Sequence, residues 1–146
     1  YYGDEIGMYA NKSVNDGALR QNFPGGWPSD KNNAFSAEGR TELQAQYHDY
    51  TRRLLNWRKG NETVCYGSLV QFTVRDGVFV YARVKDGKTV TIIANGTSKP
   101  AKAKASIYKE VLPAGQAYDV IDSNIVALGE EIELAPKQIM ILDFTK

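Results

Sequence analysis

Apolar and polar residues follow two different textures along the chain, and the change falls near residue 60. Beyond it they alternate. Val78, Val80, Ala82 and Val84 oppose Phe79, Tyr81, Arg83 and Lys85, the period of two that sends successive side chains to opposite faces of a strand. Ala101, Ala103, Ala105 and Ile107 face away from Lys102, Lys104 and Ser106. Ile139 and Ile141 oppose Met140, Leu142 and Phe144, so the last strand is apolar on both faces. Val, Ile and Thr number 24 in residues 61–146 against 4 in residues 1–60, and these side chains suit a pleated, half-buried surface. Asp76-Gly77 and Asp86-Gly87 each sit between strand-like runs, the strongest short-range hairpin signal. The spacing predicts about eight short strands over residues 63–145, an antiparallel sandwich.

The first 60 residues read differently. Tyr1-Tyr2-Gly3 has the look of a strand interior, and residues 10–36 are rich in Gly, Pro, Asn, Asp and Ser around Phe23-Pro24-Gly25-Gly26-Trp27-Pro28. A loop of that length in a compact domain is commonly functional or disordered. One helix follows. Thr41 with Gln44 three residues later is a capping box, and Leu43, Tyr47, Tyr50, Leu54 and Trp57 recur at helical spacing. Arg52, Arg53, Arg58 and Lys59 gather toward its C-terminus, where the helix dipole favours cations, and Gly60 supplies the stop. The plainest role for those basic residues is a solvated helix end.

Charge narrows the partners. Eighteen basic residues stand against 17 acidic ones, for a net charge of +1. Neither texture carries an excess, so no basic field favours nucleic acid. No apolar run approaches the roughly 20 residues a membrane-spanning helix needs. One cysteine, Cys65, excludes an internal disulfide, and one histidine, His48, excludes a His-pair metal motif. Cofactors and metals are therefore not expected.

The carboxylates do not assemble a catalytic pair. Asp4 and Glu5 are adjacent, so on a strand they would point to opposite faces. Glu130, Glu131 and Glu133 read as solvent-facing charge on an edge strand, and Asp119 and Asp122 as turn residues of the same kind. His48 sits mid-helix with no serine elbow to serve, and Cys65 reads as a small buried hydrophobe. Three Asn-x-Ser/Thr triplets begin at Asn11, Asn61 and Asn95, at a frequency that chance explains.

Tyr1-Tyr2-Gly3-Asp4-Glu5-Ile6-Gly7-Met8 resembles the close of the eighth barrel strand in the α-amylase family, glycoside hydrolase family 13. Asp16 to Arg20 resembles that family's Asp-x-x-x-Arg loop element, although Gly17 stands where Pro is usual. Phe23-Pro24-Gly25-Gly26-Trp27 with Gly39-Arg40-Thr41 is similar to neopullulanase and cyclomaltodextrinase-type members. Leu54-Leu55-Asn56-Trp57-Arg58-Lys59 resembles the eighth barrel helix, and Val64-Cys65-Tyr66-Gly67 the approach to the C-terminal sandwich. The resemblance implies two parts: residues 1–60, the C-terminal remnant of a (β/α)₈ catalytic barrel with strand end, long loop and final helix, and residues 61–146, an all-β Greek-key sandwich.

It further implies a retaining enzyme acting on α-1,4 and α-1,6-glucans, whose nucleophile Asp, general acid Glu and second Asp would all precede Tyr1. Such chemistry needs two carboxyl groups about 5–5.5 Å apart, so the chain by itself is expected to carry no catalytic residue and no activity. Its expected contribution is sugar contact. Asp16 and Arg20 match the loop pair the resemblance places beside the substrate cleft, and Trp27 offers an apolar face to a pyranose ring, with Phe23 a further candidate. An α-glucan substrate, a periplasmic or secreted location with the cytoplasm left open, and homodimerisation are family-level expectations. Two other readings stay open: a non-catalytic carbohydrate-binding module, using aromatics among Tyr66, Phe72, Phe79, Tyr81, Tyr108 and Tyr118, or a structural and oligomerisation domain.

Overall fold

The structure is a computed structural model that describes residues 1–145. It is mainly β, and the chain divides into two compact units, Tyr1–Asn56 and Trp57–Lys146. In the first unit, residues 1–8 do not form the expected strand. They make a turn and one 3₁₀ turn, Asp4–Ile6, whose backbone closes on itself through Ile6 N–H to Gly3 O at 3.2 Å and Met8 N–H to Gly3 O at 2.9 Å. An extended segment needs a hydrogen-bonded neighbour, and the described residues provide none here. A single helical turn, α1 (Asp16–Leu19), is capped by Asn15, which accepts the Ala18 N–H at 2.8 Å.

The long helix α2 spans Glu42–Lys59, and its start is the capping box read from sequence. Gln44 accepts the Thr41 N–H at 2.9 Å, while Thr41 Oγ1 accepts the Gln44 N–H at 3.3 Å. Asp49 takes Arg52 and Arg53 as i+3 and i+4 partners, and Arg52 first of all holds its carboxyl below the usual range. No residue of α2 is fully buried: Leu43, Tyr47 and Tyr50 of the apolar stripe stay exposed.

The second unit opens with a helix where the residues suggested a strand. Asn61 caps α3 (Glu62–Tyr66) by accepting the Val64 N–H at 3.1 Å, which outweighs the β-branched Thr63 and Val64. Cys65 is consequently half-buried on a helix, with its thiol 3.2 Å from the Arg58 carbonyl. Among the described residues eight strands follow: β1 (Ser68–Gln71), β2 (Val78–Lys85), β3 (Lys88–Asn95), β4 (Ala101–Lys104), β5 (Gly115–Asp119), β6 (Asn124–Leu128), β7 (Glu131–Leu134) and β8 (Ile139–Asp143). Six form one antiparallel sheet in the order β1-β2-β3-β8-β5-β6, and β4 pairs with β7 in the second. β8, last in the chain, returns to the middle of the larger sheet, the crossed connectivity of a Greek key.

Both Asp-Gly pairs turn as expected. Asp76 and Gly77 have φ of 49° and 77°, and Asp86 and Gly87 have 51° and 74°, the positive values that hairpin turns of the primed types require. Register then fixes the faces. Val78, Val80 and Ala82 pair across to Asn95, Ile93 and Thr91, and Ile93 and Thr91 to Met140 and Leu142. This inner face meets Ala103, Ile132 and Leu134 of the small sheet, with Tyr108, Val111 and Leu112 between them. Thr91, fully buried, satisfies its hydroxyl on the Val111 carbonyl. On the small sheet Lys102 lies 3.1 Å from Glu131 and 3.0 Å from Glu133, so those carboxylates are the exposed charges that were expected.

Two readings need correction, one of alternation and one of a turn residue. The β4 pattern stops at Lys104 because Ala105–Tyr108 is a 3₁₀ turn, which exposes Ile107 and buries Tyr108. Asp119 does not face solvent. It is 1% exposed and turns back to accept the Ile121 N–H at 2.9 Å. Burial is the main cause that pushes its carboxyl above the usual value of 3.8. Between 3.8 and that raised value the folded state binds more protons than the unfolded one, so this group's contribution to stability is complete below 3.8 and is lost as pH rises through the folded value. Chemical denaturation of wild type and Asp119→Asn across mildly acid pH should therefore show their stability difference shifting against wild type as pH rises. A difference that stayed flat would refute it.

Candidate functional site

The residues singled out for sugar contact all lie in the first unit, on the loop side of α2. Asp16 is exposed in the first turn of α1, and Arg20 is exposed at its C-cap, where its N–H reaches Gly17 O at 3.0 Å. No ion pair joins the two among the described residues. Trp27 lies farther along the loop and is 62% exposed. Phe23 is half-buried and packs on Phe35, with ring centroids 4.5 Å apart.

The loop is wired rather than slack. Ala34 N–H reaches Pro24 O at 3.0 Å, and Asp30 N–H reaches Trp27 O at 3.0 Å. Asp30 Oδ2 accepts the N–H groups of Gly25 at 2.8 Å and Trp27 at 3.0 Å. These bonds, Gly25 first and Trp27 second, hold the Asp30 carboxyl below its usual range. Asn32 ties the loop to the start of α2, donating to Gly39 O at 3.1 Å and Gln44 Oε1 at 2.9 Å.

Arg40 closes the frame. Its guanidinium donates to Ala34 O at 2.9 Å and Phe35 O at 3.3 Å, and lies 3.3 Å from His48 Nδ1. A guanidinium only donates, so in a hydrogen bond between them the ring nitrogen is the acceptor. Around these groups is a cleft of about 450 Å³ lined by Tyr2, Glu5, Phe23, Phe35, Arg40 and His48. Glu5 turns its carboxylate to the Gly3 N–H at 2.9 Å, which ties it to the backbone. Among the described residues no group of three His, Cys, Asp or Glu side chains is placed to hold a metal ion.

Sequence reasoning named Asp16, Arg20 and Trp27 and missed Asp30 and Arg40, which hold the backbone at Gly25, Trp27, Ala34 and Phe35. The only available signal was position: Asp30 follows Gly25-Gly26-Trp27 by three residues, the spacing at which an aspartate can close on backbone N–H groups. Of the aromatics in the second unit, Tyr108 is buried, with Phe72 edge-on to it at 5.0 Å. Phe79 and Tyr81 lie side by side on the outer face of β2 at 5.4 Å, and Tyr66 is 78% exposed on α3. The triplet asparagines also find places. Asn61 is buried and Asn95 is 2% exposed, the latter donating to Lys99 O and Ala135 O at 2.8 and 2.9 Å, so both amide nitrogens are committed to the fold.

Residues 69–143 match the family model described as Cyclo-malto-dextrinase C-terminal domain. Among solved structures, AmyP in complex with maltose shares the fold at a TM-score of 0.69 and 21% identity, over 99% of this chain and 31% of that one. A trehalulose synthase MutB mutant with glucose aligns at 0.54 and 23%, over 76% and 20% of the two chains. XgtA, an alpha-glucosyl transfer enzyme, aligns at 0.53 and 22%, over 72% and 20%. The chain thus spans less than a third of the length of each.

Proposed function

The chain belongs to the cyclo-malto-dextrinase C-terminal domain family, the C-terminal β-sandwich of α-amylase family enzymes, and from that premise we propose that it works as the C-terminal part of an α-glucan-degrading glycosidase. The observation that carries this reading is the likeness to AmyP, which extends over 99% of the chain and so includes the loop and helix as well as the sandwich. That structure holds maltose, and an α-glucan oligosaccharide is the substrate class proposed here. The retaining reaction on α-1,4 and α-1,6 linkages uses a carboxylate pair supplied by residues outside this chain. The sandwich supports the barrel, while Asp16, Arg20 and Trp27 contribute to the substrate cleft. Asp16 and Arg20 offer one acceptor and one donor set for sugar hydroxyls, and Trp27 an apolar ring face. A periplasmic or secreted setting and a homodimeric state complete the proposal.

The test is an assay on two proteins. The purified 146-residue chain should release no reducing sugar from pullulan or a cyclodextrin, and the longer protein that carries this sequence should release it. Turnover by the 146-residue chain would show that the carboxylates lie within it. Failure of the longer protein on pullulan, cyclodextrin and maltotriose alike would end the glucan reading.

A further inference from the structure

The loop between α1 and α2 holds its most exposed indole in a backbone frame that one carboxylate organises. Asp30 Oδ2 takes the Gly25 and Trp27 N–H groups together, and the Asp30 N–H returns to Trp27 O at 3.0 Å. The side chain and main chain of one residue thus grip Trp27 at both its N–H and its carbonyl. Gly25 makes the turn possible. Its φ is +113°, and a Cβ there would fall 2.2 Å from Asn33 Oδ1 and 2.8 Å from Asn33 Cα. The Ala34 N–H to Pro24 O bond and the Arg40 guanidinium on Ala34 O fasten the far side.

What this frame presents is a free ring. Trp27 is 62% exposed, and no other aromatic ring of the described residues stacks on it. Ordering the backbone beneath the ring costs chain entropy. Pre-ordering of that kind is recovered when a ligand covers the ring, because the loop then loses no further freedom on binding.

We propose that Asp30 is a positioning residue that presents the Trp27 indole as a stacking platform for a glucosyl ring. The inference rests on the α-glucan reading above and adds the group that sets the platform. It is tested in the longer protein by steady-state kinetics on maltotriose for Trp27→Ala, Asp30→Ala, Asp30→Asn and the double Asp30→Ala/Trp27→Ala variant. Trp27→Ala should raise KM roughly tenfold, the scale of one aromatic contact, with a much smaller change in kcat. Asp30→Ala should raise KM about fivefold, and Asp30→Asn, which keeps one acceptor oxygen, should recover part of that loss. The double variant should be no worse than Trp27→Ala, because a positioning residue has nothing left to position. Multiplying single effects in the double variant would overturn the inference, and so would a wild-type KM for Trp27→Ala. Since Trp27 is exposed, that second arm stands even if Asp30→Ala fails to fold. A wild type that leaves maltotriose, pullulan and cyclodextrin untouched would instead remove the function reading, and this inference with it.

Discussion

Replacing Asp143 with leucine should cost the second unit about 3–5 kcal/mol, a large share of the roughly 5–15 kcal/mol that holds a domain folded. Asp143 ends β8 on the outer face of the large sheet and is 0% exposed. Its Oδ2 accepts the Trp57 indole N–H at 2.9 Å and the Asn61 amide at 3.0 Å, and its Oδ1 accepts the Thr145 N–H at 2.8 Å. Three donors from both ends of the unit therefore converge on one carboxylate, and leucine would strand all of them. Each stranded buried donor costs about 1–3 kcal/mol. Trp57→Phe removes one bond and its donor together, so about 1 kcal/mol is expected from the hydrogen bond. Asn61→Ala loses the α3 cap as well, for about 2 kcal/mol. Urea denaturation followed by far-UV circular dichroism would rank the three variants. Because they share one acceptor, the Asp143→Leu/Trp57→Phe pair should cost less than the sum of its parts. A loss below about 1 kcal/mol for Asp143→Leu would refute the account.

That carboxylate also marks where the chain stops being readable. Short-range signals were legible because their physics is local. Thr41 and Gln44 satisfy each other's backbone within one turn, and the Asp-Gly pairs fix their hairpins through φ alone. The alternation in β2 separated its two faces, Val78, Val80 and Ala82 buried on one, since a one-residue slip would move every side chain to the wrong side. Asp143 and Trp57 stand 86 residues apart, and no local pattern announces such a partner. Asp119 was misread for the same reason: at a strand end an aspartate looks like a turn residue until β8 is laid beside it. α3 was missed because Thr63 and Val64 favour strands, while the deciding group, Asn61, lies outside the run it caps. In the loop, residue type pointed to Asp16, Arg20 and Trp27. The frame around Trp27 is made of main-chain bonds, which composition does not show.

Tyr108→Ala should cost about 3–5 kcal/mol, the range for removing a large aromatic side chain from a packed core. Tyr108 is 2% exposed and sits between the two sheets with Val111 and Leu112. Phe72 meets its ring edge-on at 5.0 Å and 89°, an arrangement worth about 0.5–1.5 kcal/mol beyond area burial. The 3₁₀ turn over Ala105–Tyr108 aims it inward, with the Val111 and Leu112 N–H groups closing on Tyr108 O at 2.9 and 2.8 Å. Neighbouring β-strands are held in place by their ladders, so little can collapse into the space left, and the cavity adds to the lost transfer energy. Tyr66→Ala is the counter-case. That ring is 78% exposed on α3, and a surface change of this kind stays within about 0.5 kcal/mol. The pair also separates packing from recognition. A sugar-binding role for Tyr108 would need its ring to leave the core, and the variant would then lose glucan affinity while keeping its melting temperature. The expected result is the reverse: unfolding at a temperature lower by roughly 10 °C or more for Tyr108→Ala, with Tyr66→Ala melting beside wild type.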